Sequence, residues 1–248
     1  TLEELGKIHG YELSLLPVDH PGQEQKSQWL QIRRERPDYV IMWGWGAMNA
    51  GAITEAVKTK FPMENMLGVW WSGHDADLKI VGEDGKGYKS VSWSFPNPDA
   101  PVMADVKQHV VDAGNSQSNE EEMQGVFYSR GLVISAILAE GIAVAQEHTG
   151  KAEISPADLR WGLENLNFTE ERLEELGMTG MVPPFSTSCA NHTGHSGGWI
   201  LEWDGSKFVK ASDLIMPDSE AISELEMAKA QEYAEANAPW PVNEDCEM

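Results

Sequence analysis

The sequence predicts an α/β protein: β-α-β units around a parallel sheet, then a mainly helical portion, then a β-hairpin. Three observations carry this. Short apolar runs alternate with helical patterns from Tyr11 to Phe95. Most of those runs are nearly continuous in apolar residues, as in strands covered on both faces. Beyond Pro96-Asn-Pro98 the apolar spacing turns helical.

The elements follow in order. Residues 11–18 alternate apolar and polar side chains and read as a strand. Residues 27–36 read as a helix stopped by Pro37. Asp38-Tyr-Val-Ile-Met-Trp43 is a second strand, and residues 47–60 form a helix whose end Pro62 marks. Met66-Leu-Gly-Val-Trp-Trp71 is a third strand; a short helix over 75–81, a glycine-rich turn and a strand over 89–95 follow. Strands separated by helices of this length imply β-α-β units and a parallel sheet.

In the helical portion, Val102, Val106 and Val110 share one face, and residues 114–121 form a polar loop. Phe127, Ile134, Leu138 and Ile142 mark a long helix ending before Gly150. Ser155-Pro-Ala-Asp158 reads as an N-cap, a proline at the first helical position and an acid in the first turn. Short helices are expected to about Leu166 and over 170–176. Pro183-Pro184 is a crossing point, and Asp204-Gly205 turns a hairpin between residues 199–203 and 207–209. Asp218 is the expected cap of a last helix to about Glu235, on which Ile222, Leu225 and Met227 form an apolar stripe.

Composition narrows the function. The 248 residues carry 40 acidic and 18 basic side chains, a formal net charge of -22. Such a surface repels nucleic-acid phosphates and anionic membranes. No run of about 18 apolar residues without a charge occurs, so no membrane insertion is expected. The chain opens at Thr1 inside a helical pattern, so we expect a preceding segment that would carry any secretion signal. Cys189 and Cys246 fit one disulfide in an oxidising compartment or two buried thiols in a reducing one.

Ligands of open α/β sheets sit beyond the carboxyl ends of strands. That rule selects Trp43, Trp45, Ala47 and Asn49 after the second strand. It selects Trp70, Trp71, Ser72, His74 and Asp75 after the third, and Trp93 and Phe95 after the fourth. Indoles offer large apolar area and one N–H donor, which suits a small organic solute. The competing reading makes such tryptophans core plugs under the adjoining helices. The Gly44 and Gly46 alternation points to close backbone approach there. Cys189-x-x-His192-x-x-His195 has metal-ligand residue types but no second cluster, so it reads as a structural turn or a metal site, with the turn preferred. No nucleophile elbow, P-loop or dinucleotide fingerprint occurs, so neither an enzyme nor a cofactor is expected.

Taken in order, several stretches resemble the type I periplasmic solute-binding proteins of ABC importers, the branched-chain amino-acid and amide receptors. They are Met42-Trp-Gly-Trp-Gly-Ala-Met-Asn49, Gly68-Val-Trp-Trp-Ser-Gly73, Gly87-Tyr-Lys89, Tyr128 with Arg130-Gly131, Arg160-Trp-Gly-Leu-Glu-Asn165, Ser188-Cys-Ala-Asn-His192, Glu202-Trp-Asp-Gly205 and Glu232-Tyr-Ala-Glu-Ala-Asn237. The resemblance implies two Rossmann-like lobes with parallel sheets joined by a three-strand hinge, the N-terminal lobe incomplete. It places residues 1–95 in the C-terminal lobe and 96–182 in the helical part of the N-terminal lobe. Residues 183–217 return to the C-terminal lobe, and 218–248 form a final helix and acidic tail. It further implies a periplasmic receptor that grips a solute between the lobes and docks on the membrane permease subunits of an importer. A sensor module of the same fold without transport is the alternative. By resemblance Trp45 packs on the ligand, and Ser72 stands near where amino-acid receptors place an acid. The resemblance also implies a Cys189–Cys246 disulfide. With that acid missing and Asp75 nearby, an amide, urea-like, carboxylate or aromatic solute is expected rather than an α-amino acid.

Overall fold

The computed structural model describes residues 1–195, 197–217 and 219–240. It is built around two cores. The first belongs to a five-stranded mixed sheet of order β1-β2-β3-β6-β7. Strands β1 (Val40–Met42), β2 (Met66–Gly68) and β3 (Lys89–Ser92) run parallel. The hairpin β6 (Trp199–Trp203) and β7 (Phe208–Lys210) adds antiparallel to β3. The sheet is therefore mixed, not purely parallel, because the returning hairpin extends the same ladder.

Helix α1 (Leu2–His9) precedes the sheet. Helix α2 (Lys26–Glu35) ends on Arg36 in the left-handed region, one residue before Pro37. Helix α3 (Ala47–Thr59) connects β1 to β2, and the short α4 (Asp75–Lys79) lies between β2 and β3. Trp29, Ile53, Met66, Leu78, Tyr88, Leu201 and Trp203 fill this core. Trp203 is fully buried, and its Nε1 donates to Gly82 O at 2.9 Å. Residues 11–18 form no strand. Among the described residues no ladder partner pairs with them, and Pro17 has no N–H to give, so their alternation does not become β structure.

The second core is helical. Helix α5 (Pro101–Val106) continues into a π turn over Lys107–Val111. The one-turn α6 (Glu120–Met123) starts from a capping box in which Asn119 and Glu122 exchange hydrogen bonds. Helix α7 (Val126–Thr149) is 24 residues long. Helix α8 (Pro156–Leu163) starts as the sequence foretold, with Ser155 capping, Pro156 at the first position and Asp158 closing the box. Helix α9 (Glu170–Glu175) is capped by Thr169. A two-stranded ladder of β4 (Asn167–Phe168) and β5 (Phe185–Ser186) ties its ends. Met103, Met123, Val133, Phe168, Leu173, Met178 and Met181 are buried here.

By length and composition α7 could cross a membrane. One face of it packs against the rest of the protein, burying Val126, Ser129, Arg130, Val133, Gly141 and Ala145. Gly141 and Gly162 let α7 and α8 touch, since a Cβ on Gly162 would run into Gly141 O. Glu140 on α7 holds Arg172 on α9 through two bonds of 2.8 and 2.7 Å. The two crossings between the cores lie side by side: Phe95 N donates to Met181 O at 2.8 Å, and Asn97 Nδ2 to Thr179 O.

The last helix, α10 (Ser219–Ala236), departs from expectation. Ile222 and Leu225 are only partly covered and Met227 is exposed, so no continuous apolar stripe is buried. Its expected cap, Asp218, and the acidic tail with Cys246 lie outside the described residues.

Candidate functional site

The carboxyl ends of β1, β2 and β3 point the same way because the three strands are parallel. After Met42 the chain passes Trp43-Gly-Trp-Gly46 into α3; after Gly68 it makes a 3₁₀ turn over Trp70–Ser72; after Ser92 it reaches Trp93. Trp43, Trp45, Trp70 and Trp71 are between 37% and 64% exposed, too open for core plugs. Trp43 and Trp70 meet edge to face at 6.0 Å. Gly46 has φ +55°, which favours glycine, and Gly44 lies where a Cβ would press on Asn49 Oδ1.

A hydrogen-bonded floor lies beneath the rings. Ser72 is fully buried, its Oγ donating to Gly44 O at 2.8 Å. Tyr88 Oη donates to Ser72 O at 2.8 Å, and Ser90 Oγ donates to Val69 O. Burial and the nearby Asp77 push the Tyr88 phenol far above its usual range. Asn49 Nδ2 donates to Trp71 O and to Asp77 Oδ2, both at 2.9 Å. Burial raises the Asp77 carboxyl above its ordinary value, against the opposing Asn49 bond. Ser72 thus braces β1 against the turn after β2 and presents no hydroxyl at the mouth.

The N-terminus of α7 forms the opposite wall. Asp75 Oδ2 accepts from Val126 N at 2.9 Å, satisfying one unpaired amide of the first turn. His74 stacks on Phe127 at 4.6 Å, and Trp71 meets the same ring edge on at 6.5 Å. Arg130, one helical turn on, donates from Nη1 to Trp70 O at 2.7 Å and from Nη2 to Ser92 Oγ at 3.3 Å. Its guanidinium lies 5.5 Å from the Trp93 ring centre and 4.9 Å from that of Phe127. The group is 5% exposed, and burial lowers its pKa to about 10.

Beside this cluster opens a cavity of about 1030 Å³, bordered by Trp70, Trp93, Val133, Ile137, Leu163 and Phe185 among others. His192 and His195 border it too. They do not converge with Cys189: His192 Nε2 lies 3.1 Å from Glu164 Oε1, and His195 leans on Phe185. Among the described residues no group of three metal-ligating side chains occurs. Cys246, the partner that the resemblance implies for Cys189, lies outside the described residues.

Among the residues selected from the sequence, Trp43, Trp70, Trp71, His74 and Trp93 fall in one cluster. Trp45 is exposed beside it, Asp75 is engaged by α7, and Ser72 is buried below. Strand-end reasoning missed Phe127 and Arg130, which come from the first turns of α7, where Val126 and Phe127 pack against the sheet core. An arginine inside the otherwise uncharged 126–139 stretch was the available signal.

Residues 6–207 match the family model described as periplasmic binding protein. No curated protein matches the chain. A crystal structure of an ABC transporter permease from the Pseudomonas fluorescens group is 30% identical, with a TM-score of 0.86 over 98% of this chain and 59% of that one. A branched-chain amino-acid ABC transporter from Thermus thermophilus with bound valine is 18% identical, TM-score 0.70, over 88% of this chain and 57% of that one. An R. palustris solute-binding protein in complex with benzoate is 17% identical, TM-score 0.54, over 81% and 50%. The chain spans under three fifths of the length of each of these structures.

Proposed function

The chain belongs to the periplasmic binding protein family and has its type I fold, and from that premise we propose that it captures a small organic solute between two lobes for an ABC importer. The sheet core serves as one lobe and the helical core as part of the other. The observation that carries this reading is the set of open indole rings after two parallel strands, β1 and β2, beside the first turn of α7, whose later turns pack in the helical core. Apolar rings left in water at one edge gain free energy when a solute covers them. Contacts to both cores favour the closed arrangement, so ligand shifts the population toward it. The closed form then docks on permease subunits outside the cytoplasm, in the periplasm. There the oxidising setting keeps Cys189 paired with Cys246.

A thermal-shift screen of the intact protein against amino acids, amides, urea and aromatic acids tests the reading. A ligand at 100 times its Kd adds about 2.7 kcal/mol of stability. One solute class should raise the midpoint, and Trp45→Ala should reduce that gain. A panel that moves nothing while the protein is folded would count against solute capture.

A further inference from the structure

We propose that Arg130 is a positioning residue of the mouth: without touching the solute, it holds the surrounding rings in one arrangement before a solute arrives. This inference rests on the solute-binding reading above and deepens it by naming what keeps that site in order.

As a plain core residue Arg130 is a poor choice. Its side chain is buried, and both of its hydrogen bonds go to neutral oxygens, Trp70 O at 2.7 Å and Ser92 Oγ at 3.3 Å. Its Nε is buried without a hydrogen-bond partner. Among the described residues no acid pairs with it to offset the burial that lowers its pKa. Burying a charge on such terms costs stability, and an apolar side chain of similar volume is often tolerated as well or better. Ser92 does not depend on it, since its Oγ already donates to Ser94 O at 2.6 Å. A side chain that breaks a packing rule without a gain in stability is expected where function needs it.

What Arg130 does is connect. It stands on α7 between Phe127, packed against the sheet core, and Val133, buried in the helical core. Its bond to Trp70 O fixes the turn over Trp70–Ser72 after β2, and its bond to Ser92 Oγ reaches the last residue of β3. The guanidinium lies against the rings of Trp93 and Phe127. Phe127 in turn stacks on His74 and meets Trp71 edge on, while Trp70 meets Trp43. One side chain thus reaches Trp43, Trp70, Trp71, His74 and Trp93, directly or through one neighbour. Trp43, Trp70 and Trp71 are too exposed for packing alone to fix them. Rings ordered in advance spare a solute the entropy of ordering them.

Fluorine NMR of the intact protein labelled with fluorotryptophan tests this, comparing the unaltered chain with Arg130→Met and Arg130→Lys. In Arg130→Met the lines of Trp70, Trp71 and Trp93, assigned by single Trp→Phe changes, should shift and broaden. The lines of the core residues Trp29 and Trp203 should stay in place, and the melting temperature should change little. Arg130→Lys keeps a donor and the charge without the planar fork, so it should show a smaller change at the same three rings. A solute of the panel above that stabilises the unaltered protein should bind the Met variant about tenfold more weakly, the effect of ordering two further side chains on binding. Unmoved Trp70, Trp71 and Trp93 lines, or equal changes at Trp29 and Trp203, overturn the proposal. So does an unchanged affinity despite loosened rings. If Arg130→Met does not fold, the Lys variant decides by the same lines. A panel in which no solute stabilises the unaltered protein removes the solute-binding reading, and the NMR lines still decide whether Arg130 orders the rings.

Discussion

The two cores are made differently. The sheet core is organised by one ladder: helices and the hairpin bury Trp29, Trp203 and Tyr88, and the strands pair in the order β1-β2-β3-β6-β7. Among the described residues the helical core has no sheet beyond two two-residue strands, and its centre holds four methionines and one buried aromatic, Phe168, where the sheet core buries Trp29, Tyr88, Trp199, Trp203 and Phe208 beside three methionines. Along α7, Ile134 and Leu138 remain exposed although they sit at helical spacing with buried neighbours. Rigid aromatic side chains fix one packing, whereas methionine adapts to several. The sheet core should therefore be the more stable unit and the helical core the more mobile one. The long helix α7 joins the two, its first turn packed on the sheet core and its later turns in the helical core.

The largest effect tests this directly. Trp203→Ala removes a fully buried indole and its bond to Gly82 O, so it should cost about 3–5 kcal/mol. If the cores unfold separately, denaturant titration should show two transitions, with only the more stable one shifted. A single transition moving as a whole would erase the contrast. Next comes Gly68→Ala, whose Cβ would run into Tyr88 Oη and Ser72. Forcing atoms into that floor should cost about 1–3 kcal/mol and weaken solute binding as well, since the Trp70–Ser72 turn rests on it. Unchanged binding in a destabilised protein would separate the floor from the mouth.

Smaller effects probe the helical core and the seam. Arg172→Ala breaks the paired bonds to Glu140 between α7 and α9. The pair is partly exposed, so a loss near 1 kcal/mol is expected, confined to the less stable transition. Asp75→Ala leaves the Val126 amide without its acceptor. It should also cost about 1 kcal/mol, but its signature is kinetic: amide exchange in the first turn of α7 should rise while the sheet is unchanged. Equal protection before and after would mean that Asp75 does not hold the first turn of α7 to the sheet core.

Sequence reasoning reached the sheet side far better than the helical side, for physical reasons. Strand ends are marked by local pattern, so Trp43, Trp70, Trp71 and Trp93 could be selected without a structure. The caps of α8 were also visible, because Ser155, Pro156 and Asp158 act on neighbouring amides. The side-chain direction of Ser72 was not, since its partner Gly44 O is 28 residues away. The role of Asp75 was hidden for the same reason, its partner lying 51 residues on. Residues 11–18 had the alternation of a strand but no neighbour to pair with, and a ladder requires two strands.

The smallest effect concerns Asp77, which sits where the sheet side supports the mouth. Its carboxyl is raised by burial more than the Asn49 bond lowers it. An acid with a raised folded-state pKa binds its proton more tightly in the native protein than in the unfolded chain. Stability contributed by that proton is complete below the unfolded value and declines as pH rises through the folded one. Asp77→Asn keeps an oxygen for Asn49 Nδ2 and removes the ionisation. The variant should therefore gain thermal stability at pH 7 relative to the unaltered protein, and the gain should shrink toward pH 3. Melting curves at both values check the sign. A variant less stable at pH 7 would show that the ionised carboxylate strengthens the floor through Asn49 by more than its burial costs.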